Sequence, residues 1–375
     1  MIKIVLAANT DWYLYNFRLS LAQYLRQLGM QVTLVSPAGR FASKFHEAGF
    51  QWQAWNLGRK SIAPWSEAEA LRRIHEIYTL VKPDIVHHHT IKPVLYGSFA
   101  ANRLGVPALV NSITGRGYVF SSSDFKARVL RIIAKKMYRM ALQKQHSRVI
   151  FENEADRQYF LAQNIAGSEK SWLIEGVGVD PVRFSPKPEP EGPVVILLPA
   201  RMLWDKGIGT LVEAARILHK ETPVRVVLAG DTDPGNPATI DPATLNRWSK
   251  EGVIEWWGWQ DNMEKVYSRC HIVALPSLHE GVPTALIEGA ACEKPIVASD
   301  IPGCRTVVID GINGFLVPNN NPLALAEALL KLIKDPHLRR KMGKAGREIV
   351  LKKFDIQLIN SATLEVYRSL GGAAW

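Results

Sequence analysis

The sequence predicts an α/β protein of two domains, each a parallel sheet with helices on both faces. Two observations carry this. Short β-rich runs alternate with helical patterns in the first half, and the same rhythm starts again in the second half. Between the halves lies Pro186-Lys-Pro-Glu-Pro-Glu-Gly-Pro193, four prolines in eight residues, which reads as a linker.

Taken in order, the first half offers a strand at Ile2–Ala7, a helix at Asn16–Gly29 and a strand at Gln31–Val35. A strand at Asp84–His88, a helix running to Leu104 and a strand at Ala108–Ser112 follow. In the second half, Val194–Leu198 leads to a helix after Gly207, and Val224–Ala229 leads to a turn at Asp231–Pro237. Strands at Val253–Trp257, Ile272–Leu275 and Pro295–Ala298 come next, then helical patterns near 322–334, 336–352 and 356–369. The expected domains are 1–185 and 194–355, with 186–193 as linker. One sheet domain has no need of the last helix, so residues 356–375 are expected to pack back on the first domain. Open parallel sheets bind ligands beyond the carboxyl ends of their strands, and two such domains imply a deep cleft.

The chain has 375 residues, enough for two cores. Its three cysteines (Cys270, Cys292 and Cys304) have no metal-ligand spacing and fit a reducing cytoplasm. The amino terminus reads as a strand rather than a leader, and no run approaches the roughly 18 apolar residues of a membrane span. The net charge of +11 lies wholly in residues 1–185, where 24 Lys and Arg face 13 Asp and Glu. That half should face an anionic partner, either nucleic acid or an anionic membrane. Lys126–Gln145 contains no acid. Arg128, Arg131, Lys135 and Arg139 share one face of its helical pattern, and Leu130, Ile133, Met137 and Met140 another, which suits an anionic bilayer surface.

The chemistry concentrates in His279-Glu-Gly-Val-Pro-Thr-Ala-Leu-Ile-Glu288. A strand runs into a loop at Leu275-Pro-Ser277, and Pro283 suits the first turn of a helix. Glu280 then precedes the helix and Glu288 lies inside it. The free amides of Val282 to Ala285, including Thr284, point between the two carboxylates and favour an anion. Carboxylates flanking an anion hole suit a nucleotide sugar, with hydroxyls at both ends and phosphate in the middle. Arg201 and Lys206, five apart after the first strand of the second domain, offer a planar fork and a point charge to the same diphosphate.

Together, Arg201…Lys206-Gly207, Glu280-x7-Glu288, Gly176-Val-Gly-Val-Asp180…Phe184 and His87-x-His89-x-x-Lys92 resemble the retaining glycosyltransferases of family 4. The resemblance implies the GT-B fold of two Rossmann-like domains and covers nearly the whole chain. Val110–Phe120 suggests the bacterial branch that builds O-antigen, capsule or other glycans on a polyprenyl diphosphate. It implies catalytic roles for Arg201 and Lys206 on the diphosphate and for Glu280 on the donor sugar. Glu288 would take the ribose hydroxyls, and Gly281, Val282, Pro283, Thr284 and Ala285 would complete the donor site. It implies no metal and no cofactor, the UDP-sugar being substrate. Asn9, His87, His89, Lys92, Thr114 and Arg116 are the candidate acceptor contacts.

Two departures from the family pattern stand out. Asn9-Thr-Asp-Trp-Tyr13 replaces a Gly-Gly turn, and Thr114-Gly-Arg-Gly117 replaces a His-Gly-x-Gly pattern. The expected function is transfer of a hexose or N-acetylhexosamine to a lipid-linked saccharide, at the inner face of the cytoplasmic membrane. A sugar-nucleotide epimerase of the same fold and a basic nucleic-acid-binding protein are the alternatives. No Gly-x-Gly-x-x-Gly follows either domain's first strand, which argues against a dinucleotide oxidoreductase. The second histidine reading, a metal site, lacks further ligands.

Overall fold

A computed structural model describes residues 1–58, 63–115, 125–142 and 146–371, the side chains of 125–130 excepted. It forms two compact units, Met1–Val177 with Gln357–Trp375, and Gly178–Ile356.

In the first unit the strands are β1 (Lys3–Ala7), β2 (Gln31–Ser36), β3 (Gln51–Ala54), β4 (Ile85–His89), β5 (Ala108–Ile113), β6 (Ser147–Phe151) and β7 (Ser171–Leu173). All pair in parallel, in the order β3-β2-β1-β4-β5-β6-β7. β1 and β4 are near-continuous apolar runs or fully buried, as a sheet covered on both faces requires. The order reverses between β1 and β4, so the ligand-binding crevice of this topology opens there.

The second unit contains β8 (Val194–Pro199), β9 (Val224–Ala229), β10 (Glu255–Trp256), β11 (Ile272–Leu275), β12 (Ile296–Ser299) and β13 (Gly314–Val317). These are also all parallel, in the order β10-β9-β8-β11-β12-β13. Its switch point lies between β8 and β11. One apolar cluster runs through both faces, from Ile196 and Leu197 to Leu286, Ile287, Leu325 and Leu329.

Several boundaries differ from the sequence reading. The first helix begins at Asp11, because Thr10 Oγ1 accepts the Tyr13 amide at 3.1 Å and caps it. Asp11 reaches across to the Phe41 amide at 2.7 Å. The strand expected over Val253–Trp257 shrinks to β10.

The proline-rich segment is not the linker. It belongs to the second unit, where Arg339 grips both oxygens of Glu189 at 3.0 Å and His271 contacts Pro190 O at 3.0 Å. The chain passes between units at Val177/Gly178 and Ile356/Gln357 instead. Gly176 and Gly178, both at positive φ, frame the first crossing, and Val179 pairs with Phe354 and Ile356 beside it. Proline richness marked a fastened strap, and the glycines mark the crossing.

The last helix, Ile356–Arg368, belongs to the first unit from Gln357 onward. Tyr367 Oη lies 2.7 Å from His87 Nδ1, and Arg148 reaches Ser369 O at 2.5 Å and Ser369 Oγ at 3.0 Å.

Candidate functional site

Both candidate pairs lie at the switch point of the second unit. Arg201 and Lys206 follow β8, and Glu280 and Glu288 follow β11, so neighbouring parallel strands deliver them to one crevice.

Close backbone packing joins the two loops. Gly207 has φ +69°, and a Cβ there would sit 1.9 Å from the Pro276 carbonyl oxygen. The Leu278 amide donates to Asp205 O at 2.9 Å. Farther along, a Cβ on Gly303 would fall 2.0 Å from Gly281 O, so the Glu280–Gly281 turn is backed by bare backbone.

These constraints bring Lys206 Nζ to 2.6 Å from Glu280 Oε1. Ser277 Oγ donates to the same oxygen at 2.7 Å. Arg201 Nη1 pairs with Asp233 Oδ2 at 2.5 Å, and its side chain is 47% exposed. Thus the crevice already balances two cations with two carboxylates.

The helix of Glu288 runs Thr284–Ala291, with Pro283 as its cap rather than its first turn. No acceptor for the amides of Val282, Thr284 or Ala285 occurs among the described residues, and Pro283 has no N–H to offer. Those unpaired donors make an anion site of the kind expected at a helix start.

Burial pushes the half-buried Glu288 carboxyl up to about 7, while Tyr267 and Arg183 pull it down. Tyr267 Oη donates toward both Glu288 Oε2 and Ala285 O at 2.9 Å, and its one proton has to serve both acceptors. Two ligand hydroxyls would complete the hydrogen bonding of the ionised carboxylate.

The metal-free expectation took an Asp-x-Asp sequence to be absent, but Asp231-Thr-Asp233 is one. Two carboxylates at that spacing suit a divalent cation, but Asp233 is taken by Arg201 and by Asn236 Nδ2 at 3.2 Å. No group of three or more metal-ligating side chains occurs among the described residues.

In the first unit the candidate acceptor residues fare differently. His87 is buried with both ring nitrogens engaged, by Tyr367 and by Ser112 Oγ at 2.7 Å, so it is committed to the fold. Lys92 is held by Glu67 at 2.8 Å and by Gly58 O at 2.7 Å, which ties it to its own unit rather than to a ligand. His89 is wholly buried, and neither ring nitrogen has a partner among the described residues. It borders Thr90, a β-branched residue at φ +72° whose buried hydroxyl likewise has no partner among the described residues. Asn9 and Thr114 are half-buried at the carboxyl ends of β1 and β5, and Arg116 lies outside the described residues. Thr10 and Asp11, in the place of the family's glycine turn, cap and brace the first helix.

Nearby, Arg18 and Glu152 form a buried pair at 3.3 Å, with Tyr13 Oη 2.9 Å from Arg18. Burial pushes the Glu152 carboxyl up to about 7 against the pull of Arg18. No local pattern signals this pair, because its partners are 134 residues apart.

The helix Phe125–Leu142 buries Ala134, Tyr138, Ala141 and Leu142. Its expected apolar face is therefore divided: Ile133 and Met140 are exposed, and Met137 is half-buried.

Residues 3–153 match the glycosyl transferase 4-like family model, and residues 181–349 match that of glycosyl transferases group 1. The chain is a family 4 glycosyltransferase. Over 369 residues it is 25% identical to the N,N'-diacetylbacillosaminyl-diphospho-undecaprenol alpha-1,3-N-acetylgalactosaminyltransferase of Campylobacter jejuni, covering 94% of this chain and 95% of that one. It is 24% identical over 311 residues to the UDP-Gal:alpha-D-GlcNAc-diphosphoundecaprenol alpha-1,3-galactosyltransferase of Escherichia coli, covering 79% and 78%. In fold it matches a glycosyltransferase from Rickettsia africae at a TM-score of 0.79 and 22% identity, over 98% of each chain. It also matches the Anabaena protein HepE bound to UDP-glucose at 0.77 and 19% identity, over 98% of this chain and all of that one. The transferase therefore has the GT-B fold of two parallel-sheet domains.

The Glu288 environment has a measurable consequence. The folded chain holds a proton there up to about pH 7, whereas an exposed glutamate loses it near 4.5. This group's contribution therefore turns destabilising as pH rises from about 4.5 to 7. Glu288→Gln should match wild type in stability near pH 4 and exceed it by about 1–3 kcal/mol at pH 8, in urea titrations. A difference independent of pH would contradict the assignment.

Proposed function

We propose that this transferase moves a hexose or N-acetylhexosamine from a UDP-sugar, with retention of configuration, to a saccharide carried on a polyprenyl diphosphate. The observation that carries the donor half is the crevice of the second unit, where Lys206, Glu280 and the unpaired amides of Thr284 and Ala285 converge after adjacent strands. The Campylobacter and Escherichia relatives are named for diphospho-undecaprenol-linked substrates, which supports the acceptor half.

In this reading Glu288 gives up its proton to take both ribose hydroxyls, and Glu280, pinned by Lys206 and Ser277, faces the donor sugar. Arg201, Lys206 and the helix amides stabilise the charge that builds on the departing diphosphate. Those fixed positive groups supply what a divalent cation supplies in other transferases, so the reaction needs no metal and no cofactor. The acceptor hydroxyl attacks on the side of the leaving group, and the departing phosphate helps to take its proton. Glu280 contacts the sugar rather than acting as a general acid or base. The acceptor falls to the first unit, near Asn9, His89 and Thr114.

A lipid-linked acceptor requires the first unit to work against a membrane, and the helix Phe125–Leu142 supports this. Ile132, Ile133 and Met140 are 72%, 53% and 55% exposed, on the same outward arc as exposed Lys136 and Arg139. Apolar side chains interleaved with cations suit an anionic bilayer, the first entering the acyl boundary and the second meeting headgroups. The protein would then sit peripherally on the cytoplasmic face of the inner membrane. No helix among the described residues is long and apolar enough to cross it.

The test is a screen of UDP-sugars against a polyprenyl-diphosphate saccharide, with the new linkage read by NMR. The account expects a retained anomeric configuration and a loss of turnover of about 100-fold or more in Glu280→Ala. An inverted product, or an altered sugar nucleotide formed without acceptor, would overturn it. In vesicle co-sedimentation, the double variant Ile132→Glu, Ile133→Glu should bind phosphatidylglycerol vesicles about tenfold or more weakly than wild type. Equal binding would remove that helix from the membrane contact.

A further inference from the structure

Both cations of the donor crevice are neutralised in the free protein, but the two pairs are built differently. Glu280 is held by Lys206 and Ser277 together, and the carboxylate and amine are 11% and 20% exposed. Arg201 is about half exposed and has one carboxylate, Asp233, on its guanidinium. A part-exposed pair of this kind contributes little to stability, so an incoming anion can exchange with it.

Asp233 does not depend on Arg201 for its position. The Asp233 amide donates to Thr239 Oγ1 at 3.0 Å, and Asn236 Nδ2 donates to Asp233 Oδ2. The turn is laced along its length to the Arg201 loop: Met202 N to Asp231 O at 2.9 Å, Trp204 N to Ala238 O at 2.8 Å, and Ile240 N to Met202 O at 2.9 Å. When Arg201 turns to another anion, the Asp233 carboxylate therefore stays close by. A diphosphate on Arg201 gains bidentate, charge-assisted hydrogen bonds and meets the repulsion of that carboxylate at the same time.

We propose that Asp233 is the resident counter-ion of Arg201, exchanged on the guanidinium by the diphosphate of the nucleotide donor and opposing its retention. This rests on the donor reading above and adds a control on affinity to it. Donor and nucleotide product share the diphosphate, so a counter-ion that weakens both keeps the spent nucleotide from blocking the crevice. Release of product limits many enzymes of this kind of closed chemistry. The device works without any movement of the fold, through exchange of one anion for another on a single side chain.

The experiment is calorimetric titration of pyrophosphate and of UDP into wild type, Asp233→Asn, Arg201→Ala and the double variant, at low salt with EDTA. Asp233→Asn should bind both ligands about tenfold more tightly, a gain of the size that one charge-assisted contact carries. That gain should vanish in the Arg201→Ala background and shrink as salt rises. In turnover, the variant should show stronger inhibition by added UDP. Unchanged or weaker binding of both ligands by Asp233→Asn, with an unaltered melting temperature, would overturn the proposal and make Asp233 a residue that orients Arg201. A melting temperature that falls sharply sends the same comparison to Asp233→Ser, with the same two outcomes. A gain that persists without Arg201 also overturns it. Pyrophosphate separates the layers: a wild type that binds pyrophosphate but not UDP contradicts the choice of nucleotide and leaves the counter-ion measurable. A wild type that binds neither sinks the donor reading and this proposal with it.

Discussion

The approach of Gly207 to the carbonyl of Pro276 is the constraint on which the crevice of the second unit depends. It presses the loop after β8 against the loop after β11, which a side chain at 207 would forbid twice over, by its φ and by its Cβ. Everything with chemical promise follows from that contact. Lys206 reaches Glu280, Ser277 closes on the same carboxylate, and the Thr284–Ala291 helix starts four residues further on. Gly303 repeats the device behind Gly281. Two glycines thus convert a loop cluster into a preorganised site, the requirement for stabilising charge that appears only as the reaction proceeds.

Much of this was legible in the sequence because its signals are local. Apolar runs marked nine of the strands to within two residues, and the Glu280-x7-Glu288 and Arg201…Lys206 spacings both fell after strands that proved to be neighbours. The linker was misread for a physical reason. Proline richness signals stiffness, and a stiff segment can be strapped to a domain as Glu189 and Pro190 are. The crossing needs backbone freedom, which Gly176 and Gly178 supply.

Illegible features were those made by distant partners. His87 and Lys92 sat at promising places in and just beyond a strand, but Tyr367, Ser112 and Glu67 claim them. Arg18 and Glu152 meet from opposite ends of the unit. The division of the basic helix was hidden too, since periodicity shows that a face is apolar without showing which neighbour covers it. Ala134, Tyr138 and Ala141 face inward, and the larger Ile132, Ile133 and Met140 remain outside. Asp233 belongs with these: only the folded turn puts it on Arg201.

Charge divides along the units. The excess of cations lies in the first, and the second carries balanced pairs around its crevice. The central claim is that this second crevice holds a nucleoside diphosphate between Lys206 and the helix start, with Glu288 on the ribose. The most direct measurement is a crystal structure with UDP. The account predicts the terminal phosphate on Lys206 and the Thr284 and Ala285 amides, with both ribose hydroxyls on Glu288. UDP seated elsewhere, or a ribose that leaves Glu288 bonded to Tyr267 alone, would contradict it.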